Sequence, residues 1–488
     1  MVFSSHLFLL VFLPLALAGF HALARAPFAP VWPRRLLILA SMIFYGVWSW
    51  TYLGMLVATI AANFGLGRMI LRQPTRERAR WLLVSGVLGN LAVLAYFKYA
   101  NFFLDNFNVL LGTQWSAGTI ILPLAISFHT FQQIAFLVGV YRREDAETSF
   151  ETYTLFVLFF PQLIAGPIVR HTEVASQLQR LGQGRDRALD LAVGSAIFVV
   201  GLAKKTLLAD PLAAYANTAF SAAQAGAVDP ATAWLGALAY ALQLYFDFSA
   251  YSEMAVGLGR MFGVHLPINF WSPYQAGSIT EFWRRWHMSL SRFLRDFLYI
   301  PLGGNRHGAI RTYLNLLVTM GLGGLWHGAA WNFVLWGLYH GVLLALHRLW
   351  RGLVPQHAAP RATATRTVAV LFTFLLITLG WVIFRAADLA SAGRMFAAMS
   401  KLSVASLSAL DKLALGHVGM LLLAVWFLPN TWQWIGRHHE IDGAPASRDQ
   451  QRYWAWTLDW RWSVALAAVG AWAVLAAHRY TEFLYFQF

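Results

Sequence analysis

The sequence predicts an all-α protein that crosses a membrane many times. Of its 488 residues, 58% are hydrophobic and only 12% are charged. Soluble domains carry about a quarter charged residues, so this chain has too few charges to cover a water-exposed surface of its size. Apolar stretches close to the roughly 20 residues that span a bilayer recur along the whole chain. We therefore expect a single polytopic membrane domain over 1–488.

The apolar stretches define the candidate membrane elements. In order they are 7–24, 35–50, 52–70, 81–98, 119–140, 152–169, 189–208, 232–259, 312–325, 329–349, 367–384, 413–429 and 462–480. Some are short or interrupted, which favours about 11–13 membrane-embedded helices. Pro161 and Pro167 predict a broken or re-entrant helix in the sixth stretch. The first stretch follows a leader without Lys or Arg, which favours a retained helix over a cleaved signal peptide.

The basic residues predict the orientation. The net charge is +15, and Arg34, Arg35 and the arginines of 68–80 flank the first spans. Positive loops stay in the cytoplasm, so we expect both the N-terminus and the C-terminus in the periplasm. Because the basic residues lie between apolar spans, anionic lipids are the expected polyanionic contact and nucleic acid is not.

Residue types that are missing exclude several kinds of chemistry. The sequence has no cysteine, which rules out disulfides, thiolate metal sites and a cysteine nucleophile. It also lacks a His-Glu-x-x-His zinc motif, a Walker loop and a Gly-x-Ser-x-Gly elbow. A zinc site of that type, an ATP-driven pump and an α/β-hydrolase are therefore unsupported, and we expect no metal.

The most informative segment is 321–332, with the sequence GLGGLWHGAAWN. Its glycines predict irregular backbone inside an apolar run. Such backbone is tolerated at membrane depth where it is buried in protein or lines a cavity. His327 is an ionisable group in this costly setting, and so a candidate reactive group. The alternative is a neutral histidine that is hydrogen-bonded within the helix bundle.

The hydrophilic stretch 260–311 carries a second histidine. Aromatic and aliphatic residues recur every three or four positions from Ile279 to Ile300, which predicts an amphipathic helix at the cytoplasmic interface. Thr280 is the first choice for its N-cap and Ser278 the second. His287 lies on this helix, either as a polar group below the same cavity as His327 or as a residue that contacts lipid headgroups.

Two further groups of polar residues are candidates. Guanidinium groups suit phosphate oxygens, so the basic stretch can bind a polyanionic ligand, with lipid phosphate as the alternative. The candidates are Arg284, Arg285, Arg292, Arg295, Asn305 and Arg306. Asp247, Ser249, Tyr251 and Trp326 are candidates for lining a polar pore, with interhelical hydrogen bonding as the alternative. Lys204 and Lys205 lie near a span end and are expected to snorkel to the interface.

Short blocks, in order along the chain, resemble the membrane-bound O-acyltransferase (MBOAT) family. The branch they resemble most is the membrane subunit of bacterial alginate and polysaccharide O-acetylation systems. The blocks are Met1–Ser5, Tyr96–Phe102, Leu122–Phe128, Leu163–Pro167, Tyr245–Gly259, Ser278–Ser291, Tyr299–Asn305, Gly323–Gly328 and Tyr485–Phe488. The match is better over 90–349 than over 350–488. His129 and Ala250 depart from it, since relatives often have Tyr and Gly there.

The resemblance implies a fold, a reaction and a partner. The fold is an MBOAT-type bundle with short interfacial and re-entrant helices around a central pore. His327 is the implied reactive residue and His287 the second site residue. The implied reaction moves an acetyl group from a cytosolic thioester, with acetyl-CoA as the expected donor and no bound cofactor, to an extracytoplasmic polysaccharide across the bacterial inner membrane. A periplasmic SGNH-type acetyltransferase is the implied partner.

Alternatives remain for the mechanism, the acceptor and the class of function. A neutral imidazole suits the role of general base toward a hydroxyl, and an acyl-His327 intermediate is the alternative. The acceptor is an alginate-like exopolysaccharide, with peptidoglycan or cellulose as alternatives under the same chemistry. A transporter that uses His327, His287 and Asp247 is the alternative from another class, and a non-catalytic export scaffold is the third.

Overall fold

The protein is helical wherever its structure is described. The computed structural model describes residues 1–25, 31–144, 148–164, 166–183, 186–354, 363–401, 409–436 and 456–477. The helices are α1 (Leu13–Arg25), α2 (Val31–Gly46), α3 (Trp50–Arg72), α4 (Arg76–Leu94), α5 (Ala100–Leu111), α6 (Ile126–Tyr141), α7 (Phe150–Leu158), α8 (Phe160–Leu163), α9 (His171–Gln179), α10 (Arg187–Ala203), α11 (Asp210–Gln224), α12 (Pro230–Met261), α13 (Ile279–Trp283), α14 (Met288–Leu294), α15 (Gly308–His327), α16 (Trp331–Leu353), α17 (Thr363–Arg385), α18 (Leu389–Met399), α19 (Ala409–Phe427), α20 (Thr431–Ile435) and α21 (Trp460–Ala476). π-Helical turns occupy Phe8–Phe12, Ala95–Tyr99, Lys204–Ala209 and Arg295–Tyr299, and a 3-10 turn occupies Pro273–Gln275.

Several of these helices can cross a membrane. Within the described part of the chain, five stretches are long and apolar enough: Phe8–Arg25, Trp50–Arg72, Arg76–Leu111, Arg187–Gln224 and Ala364–Arg385. Lys412–Phe427 and Trp460–Ala476 are shorter apolar helices. The prediction of an all-α polytopic membrane protein is confirmed. The resembling block Tyr485–Phe488 lies outside the described residues.

Two predicted spans differ in detail. The stretch 119–140 begins as non-helical chain, and α6 starts only at Ile126, after Pro123 and a left-handed Ala125 with φ 58°. The stretch 152–169 is broken, as its prolines predicted. α7 ends at Leu158, and the N–H of Phe160 donates to Ser41 Oγ at 3.1 Å instead of continuing the helix.

The chain packs into two compact units. Unit 1 comprises Met1–Leu202, Tyr251–Pro267 and Leu458–His478, and unit 2 comprises Ala203–Ala250, Ile268–Thr457 and Arg479–Phe488. The division falls within α12. The single domain over 1–488 stays a prediction.

Unit 1 contains a group of buried amides on α3, α4 and α6, which we name the amide cluster: Asn63, Asn90, Gln133 and His129. The Asn63 amide donates to Gln133 Oε1 at 2.6 Å and to Asn90 Oδ1 at 3.2 Å. Asn90 returns a hydrogen bond to Asn63 Oδ1 at 2.7 Å, and the Gln133 amide lies 3.4 Å from His129 Nδ1. The three amides satisfy one another inside an apolar bundle, whereas His129 Nε2 has no partner among the described residues.

Unit 2 is organised around the hairpin of α15 and α16. The two helices approach closely because glycines face each other at their crossing. A Cβ atom at Gly324 would meet the carbonyl oxygen of Phe333, and one at Gly337 would meet the carbonyl oxygen of Met320. Small residues allow such close backbone approach in membrane helices.

The prediction of irregular backbone at Gly321–Gly324 is wrong, because α15 continues through these glycines to His327. Helix packing, and not backbone freedom, explains Gly324. The irregular segment is only Gly328–Ala330, between the end of α15 and the start of α16 at Trp331.

Candidate active site

His327 is the last residue of α15, where the hairpin turns toward α16. Its side chain is buried, with 7% exposure. Gly328 follows in extended conformation, and a Cβ atom there would collide with the Phe333 ring. The turn therefore needs glycine after the histidine, and the histidine is held at the junction of the two helices.

Aromatic rings enclose His327. The Trp326, Trp336 and Phe384 rings lie 4.9, 5.1 and 5.3 Å from the imidazole, all edge-on. Trp336 in turn stacks on Trp381 at 5.6 Å. Trp336, Trp381 and Phe384 come from α16 and α17, outside the segment that identified His327. Aromatic residues at helical spacing are common in apolar helices, so no specific sequence signal points to these three.

His287 lies at a break between two short helices. Its backbone is left-handed, with φ 41° and ψ 56°, which is unusual for a residue other than glycine. Asn269 holds this turn in place. Its carbonyl oxygen accepts from Met288 N at 3.0 Å, and its side-chain oxygen accepts from Ser289 N and Oγ at 3.2 and 2.6 Å. The backbone of His287 is thus fixed by a segment some 20 residues earlier in the chain.

The predicted single helix from Ile279 to Ile300 is wrong for this reason. The stretch forms α13, a turn at Arg284–His287, α14 and a π-helical turn. The periodicity of its apolar residues is real, but hydrogen bonds from 269–271 replace the helical bonds at the break, including Trp271 N to Arg285 O at 2.9 Å. Ser278, the second choice, is the N-cap of α13 and accepts from Glu281 N at 3.2 Å.

The structure brings the two histidines to one indole ring. The His287 ring lies 6.3 Å from Trp326, whose ring is 4.9 Å from His327. His287 is 1% exposed and packs edge-on against Phe248 at 4.7 Å. His287 is therefore a buried neighbour of the His327 enclosure and not a surface residue. Trp326, predicted as a pore residue, is the ring between them.

The other predicted pore residues have different surroundings. Asp247, 1% exposed, pairs with Lys205 Nζ at 2.8 Å, and Lys205 also pairs with Asp210 at 2.7 Å. The prediction that Lys205 snorkels is wrong, since two carboxylates hold it inside unit 2 at 3% exposure. Ser249 Oγ bonds its own helix at Phe246 O. In unit 1, the Tyr251 ring stacks on Phe3 at 4.6 Å.

The predicted donor-binding residues are on or near the surface of unit 2. Arg284, Arg295, Asn305 and Arg306 are exposed, whereas Arg285 and Arg292 are half-buried. Acidic neighbours engage some of them: Arg285 pairs with Glu281 at 2.6 Å and Arg295 with Asp296 at 2.7 Å. The hydrogen bond from Arg295 to Asp296 raises the pKa of the Arg295 guanidinium above its ordinary value.

The backbone N–H groups of the glycine-rich turn around Gly303 are hydrogen-bonded to carbonyl groups of the same turn and the residues just before it. The N–H groups of Gly303, Gly304 and Arg306 donate to the carbonyls of Ile300, Tyr299 and Gly303 at 3.0, 2.9 and 3.1 Å. These N–H groups are therefore engaged, and a phosphate at this turn would be bound by the side chains of Asn305 and Arg306. The donor-binding role of all six residues stays a prediction.

Comparison with known proteins identifies the family. The sequence profile of the membrane-bound O-acyltransferase family matches residues 139–387. The chain is 45% identical to a protein of Azotobacter vinelandii named a probable alginate O-acetylase, over 87% of this chain and 83% of the relative. It is 41% identical to the peptidoglycan O-acetyltransferase of Helicobacter pylori, over 84% and 82%. A probable alginate O-acetylase of Pseudomonas putida is 40% identical over the full length of both chains.

The profile covers α15, α16 and α17, which build the enclosure of His327, and the relatives extend the similarity beyond it in both directions. Their printed names all describe transfer to an oxygen of a polymer. An enclosed histidine at the α15–α16 junction thus occurs in a chain whose relatives are O-acyl-transferring enzymes. The chain is an O-acyltransferase and belongs to the membrane-bound O-acyltransferase family.

Proposed function

We propose that this protein moves an acetyl group from a cytosolic thioester, acetyl-CoA, across the bacterial inner membrane for O-acetylation of an extracytoplasmic polysaccharide. The observation that carries the proposal is His327, a buried imidazole walled by Trp326, Trp336 and Phe384 in an MBOAT chain. Relatives named for alginate and for peptidoglycan O-acetylation support the acetyl group and the polymer acceptor.

His327 acts as the general base. A hydroxyl is a weak nucleophile at neutral pH, and a neutral imidazole can take its proton as the oxygen attacks the thioester carbonyl. The new C–O bond forms, the C–S bond breaks, and the thiolate receives the proton from the imidazolium. The products are the acetyl ester, the free thiol and neutral His327. In the alternative, the acetyl group is transferred first to His327 with release of the thiol, and then from acetyl-His327 to the hydroxyl.

The surroundings of His327 suit this reaction. Aromatic walls keep bulk water from the thioester, which suppresses hydrolysis and strengthens electrostatic interactions inside the site. His287 and His327 both contact the indole ring of Trp326. From there His287 orients the thioester or stabilises the charge that develops on its carbonyl oxygen.

Arginines on or near the surface of unit 2 provide the binding site for the donor's phosphates. Arg284, Arg285, Arg292, Arg295 and Arg306, with Asn305, supply guanidinium and amide donors. By the positive-inside rule they lie on the cytoplasmic side, with both chain termini in the periplasm. Some of the same residues also contact anionic lipid headgroups.

The preferred acceptor is an alginate-like exopolysaccharide, reached through a periplasmic SGNH-type acetyltransferase. The relatives named for alginate O-acetylation support this acceptor. The Helicobacter pylori relative, at a similar identity of 41%, favours peptidoglycan as the second candidate. Measuring ester-linked acetate separately on exopolysaccharide, cellulose and peptidoglycan in cells with and without this protein distinguishes the acceptors.

Replacing His327 tests the catalytic role. We expect His327→Ala to lower transfer of labelled acetate from acetyl-CoA to polysaccharide by about 100- to 10,000-fold, the usual contribution of a general base. Membranes with the wild-type protein, His327→Ala and His417→Ala are compared at equal amounts of folded protein. His417 is a half-buried imidazole of α19 that contacts Tyr215, and its replacement controls for the loss of a histidine. Unchanged acetylation by His327→Ala contradicts the assignment.

Replacing the arginines tests the donor site. We expect the Arg284→Ala/Arg285→Ala variant to raise the KM for acetyl-CoA several-fold with little change in kcat, because phosphate contacts bind ground state and transition state alike. Arg78→Ala/Arg80→Ala, which removes two exposed arginines from α4 of unit 1, is the charge-matched control. An unchanged KM together with weaker membrane association supports lipid anchoring in place of donor binding.

A further inference from the structure

Among the buried side chains of unit 2 that have polar atoms without a partner in the described part of the chain, three lie against one another. They are His340, with both ring nitrogens, Trp283, with its indole N–H, and Trp336, also with its indole N–H. Their exposures are 0%, 8% and 1%. Buried polar atoms are almost always hydrogen-bonded, and leaving one unsatisfied costs about 1–3 kcal/mol. Several such atoms in one place indicate a ligand with polar groups of its own.

The three rings form one contiguous group. His340 lies 4.9 Å from Trp336 and 5.3 Å from Trp283, and the two indoles are 5.9 Å apart. Trp336 is also the ring that closes the enclosure of His327, at 5.1 Å. The polar atoms therefore lie directly behind one wall of the catalytic enclosure.

The group also has a defined position along α16. Trp336, His340 and His347 are four and seven residues apart and share a face of the helix. His347 Nδ1 is 2.8 Å from Thr280 Oγ1, and Arg284 and Arg351 are close enough for their charges to act on it. From Trp336 to His347 the helix rises about 16 Å. The order is thus His327, then the three rings, then the arginines expected to bind the donor.

We propose that Trp283, Trp336 and His340 form a hydrogen-bonding subsite for the amide groups of the pantetheine arm that carries the thioester. This inference rests on the proposed function. A donor whose phosphates are held at the arginines reaches His327 only through its arm, and each amide of that arm loses water in an apolar interior. The indole N–H groups donate to amide oxygens, and the imidazole both donates and accepts.

A glycine packs next to one of these buried nitrogens. A Cβ atom at Gly380 of α17 would come within 3.0 Å of His340 Nε2 and 3.2 Å of the Tyr339 ring. A methyl group there would cover the nitrogen without removing it. Gly380→Ala therefore imitates the loss of His340 as a hydrogen-bonding group while the imidazole stays in place.

Three acetyl donors separate the parts of the binding site. Acetyl-CoA carries the nucleotide and the amide arm, S-acetylpantetheine carries the arm alone, and S-propyl thioacetate carries neither. Release of free thiol is measured against donor concentration in membranes that contain the acceptor system. The same membranes with His327→Ala give the background, which is subtracted.

We expect His340→Leu to raise the KM about tenfold for acetyl-CoA and S-acetylpantetheine, equivalent to about 1.4 kcal/mol, and to leave that for S-propyl thioacetate unchanged. Trp283→Phe and Gly380→Ala shift the KM for the same two donors in the same direction. His340→Gln, which keeps a donor and an acceptor, recovers part of the effect. A merely structural role would affect all three donors equally, and that result overturns the proposal.

Two controls make the outcome unambiguous. His129→Leu removes another buried imidazole, 1% exposed, from unit 1, and should change no donor preferentially. The Arg284→Ala/Arg285→Ala variant should affect acetyl-CoA alone, because only that donor has the nucleotide phosphates. If the wild type releases no thiol beyond the His327→Ala background from any donor, the proposed thioester function fails and the arm subsite fails with it. Equal losses for all donors remove only the subsite.

Discussion

The amide cluster of unit 1 and the group of Trp283, Trp336 and His340 in unit 2 are both buried and polar. They differ in whether their polar atoms find hydrogen-bond partners inside the protein. In the amide cluster, Asn63, Asn90 and Gln133 exchange hydrogen bonds of 2.6 to 3.2 Å. In unit 2, the indole and imidazole nitrogens have no partner among the described residues. Neighbouring aromatic rings surround them without satisfying them.

The difference separates a structural polar group from a functional one. A satisfied network fixes the position of the helices that carry it and has no capacity left for a ligand. An unsatisfied buried group destabilises the fold, and such groups are expected where a substrate completes them. Lys205 belongs with the structural polar groups by the same criterion, because its ammonium group is paired with Asp210 and Asp247 at 2.7 and 2.8 Å.

The largest effect on stability is expected at Lys205. Lys205→Met removes the ammonium group that pairs with the buried Asp247 and the half-buried Asp210, and we expect it to lower the free energy of unfolding by about 3–5 kcal/mol. Thermal and denaturant unfolding in detergent micelles measure the change. Lys204→Met, which removes a hydrogen bond to Thr431 Oγ1, is the adjacent control and should cost less, because Lys204 is only half-buried. Intact stability with lost acetylation would place Lys205 among the functional groups instead.

An intermediate effect is expected in the amide cluster. Asn63→Leu strands the partner atoms of Asn90 and Gln133, and we expect a loss of about 1–3 kcal/mol. The triple variant in which Asn63, Asn90 and Gln133 are all Leu should recover part of that loss, because none of the three amides is left to lose a partner. Unfolding of the purified variants measures both. Acetylation per folded molecule should stay at the wild-type level, and a donor-specific loss would break the comparison.

The smallest effect on stability is expected at His340. His340→Leu removes no hydrogen bond within the described chain and keeps a similar volume, so the free energy of unfolding should change by less than about 1 kcal/mol or rise. The same unfolding measurement applies, with His129→Leu as the buried control that loses its contact with Gln133. A loss of several kcal/mol at His340 would show that it maintains the fold and would remove the contrast between the two regions.

The candidate site could be predicted from the sequence only in part. His327 stands out because an ionisable residue in an apolar run is costly wherever the run folds. His340 is also an ionisable residue with apolar neighbours in the sequence. It lies within the continuous helix α16, however, and no glycine-rich motif or helix end marks it. Its significance appears only when Trp283, from a segment more than 50 residues earlier, is found against it.

The sequence by itself determined the all-α membrane class, the break near Pro161 and the reactive candidate His327. Composition, span length and proline geometry act locally, and they do not depend on which helices become neighbours. Only the tertiary structure decided the break at His287, the burial of Lys205 and the grouping of His340 with two indoles. Asn269, Asp247 and Trp283 cause these features, and each lies far along the chain from the residue it affects. Pairing between distant segments follows from how the helices pack, which no local pattern specifies.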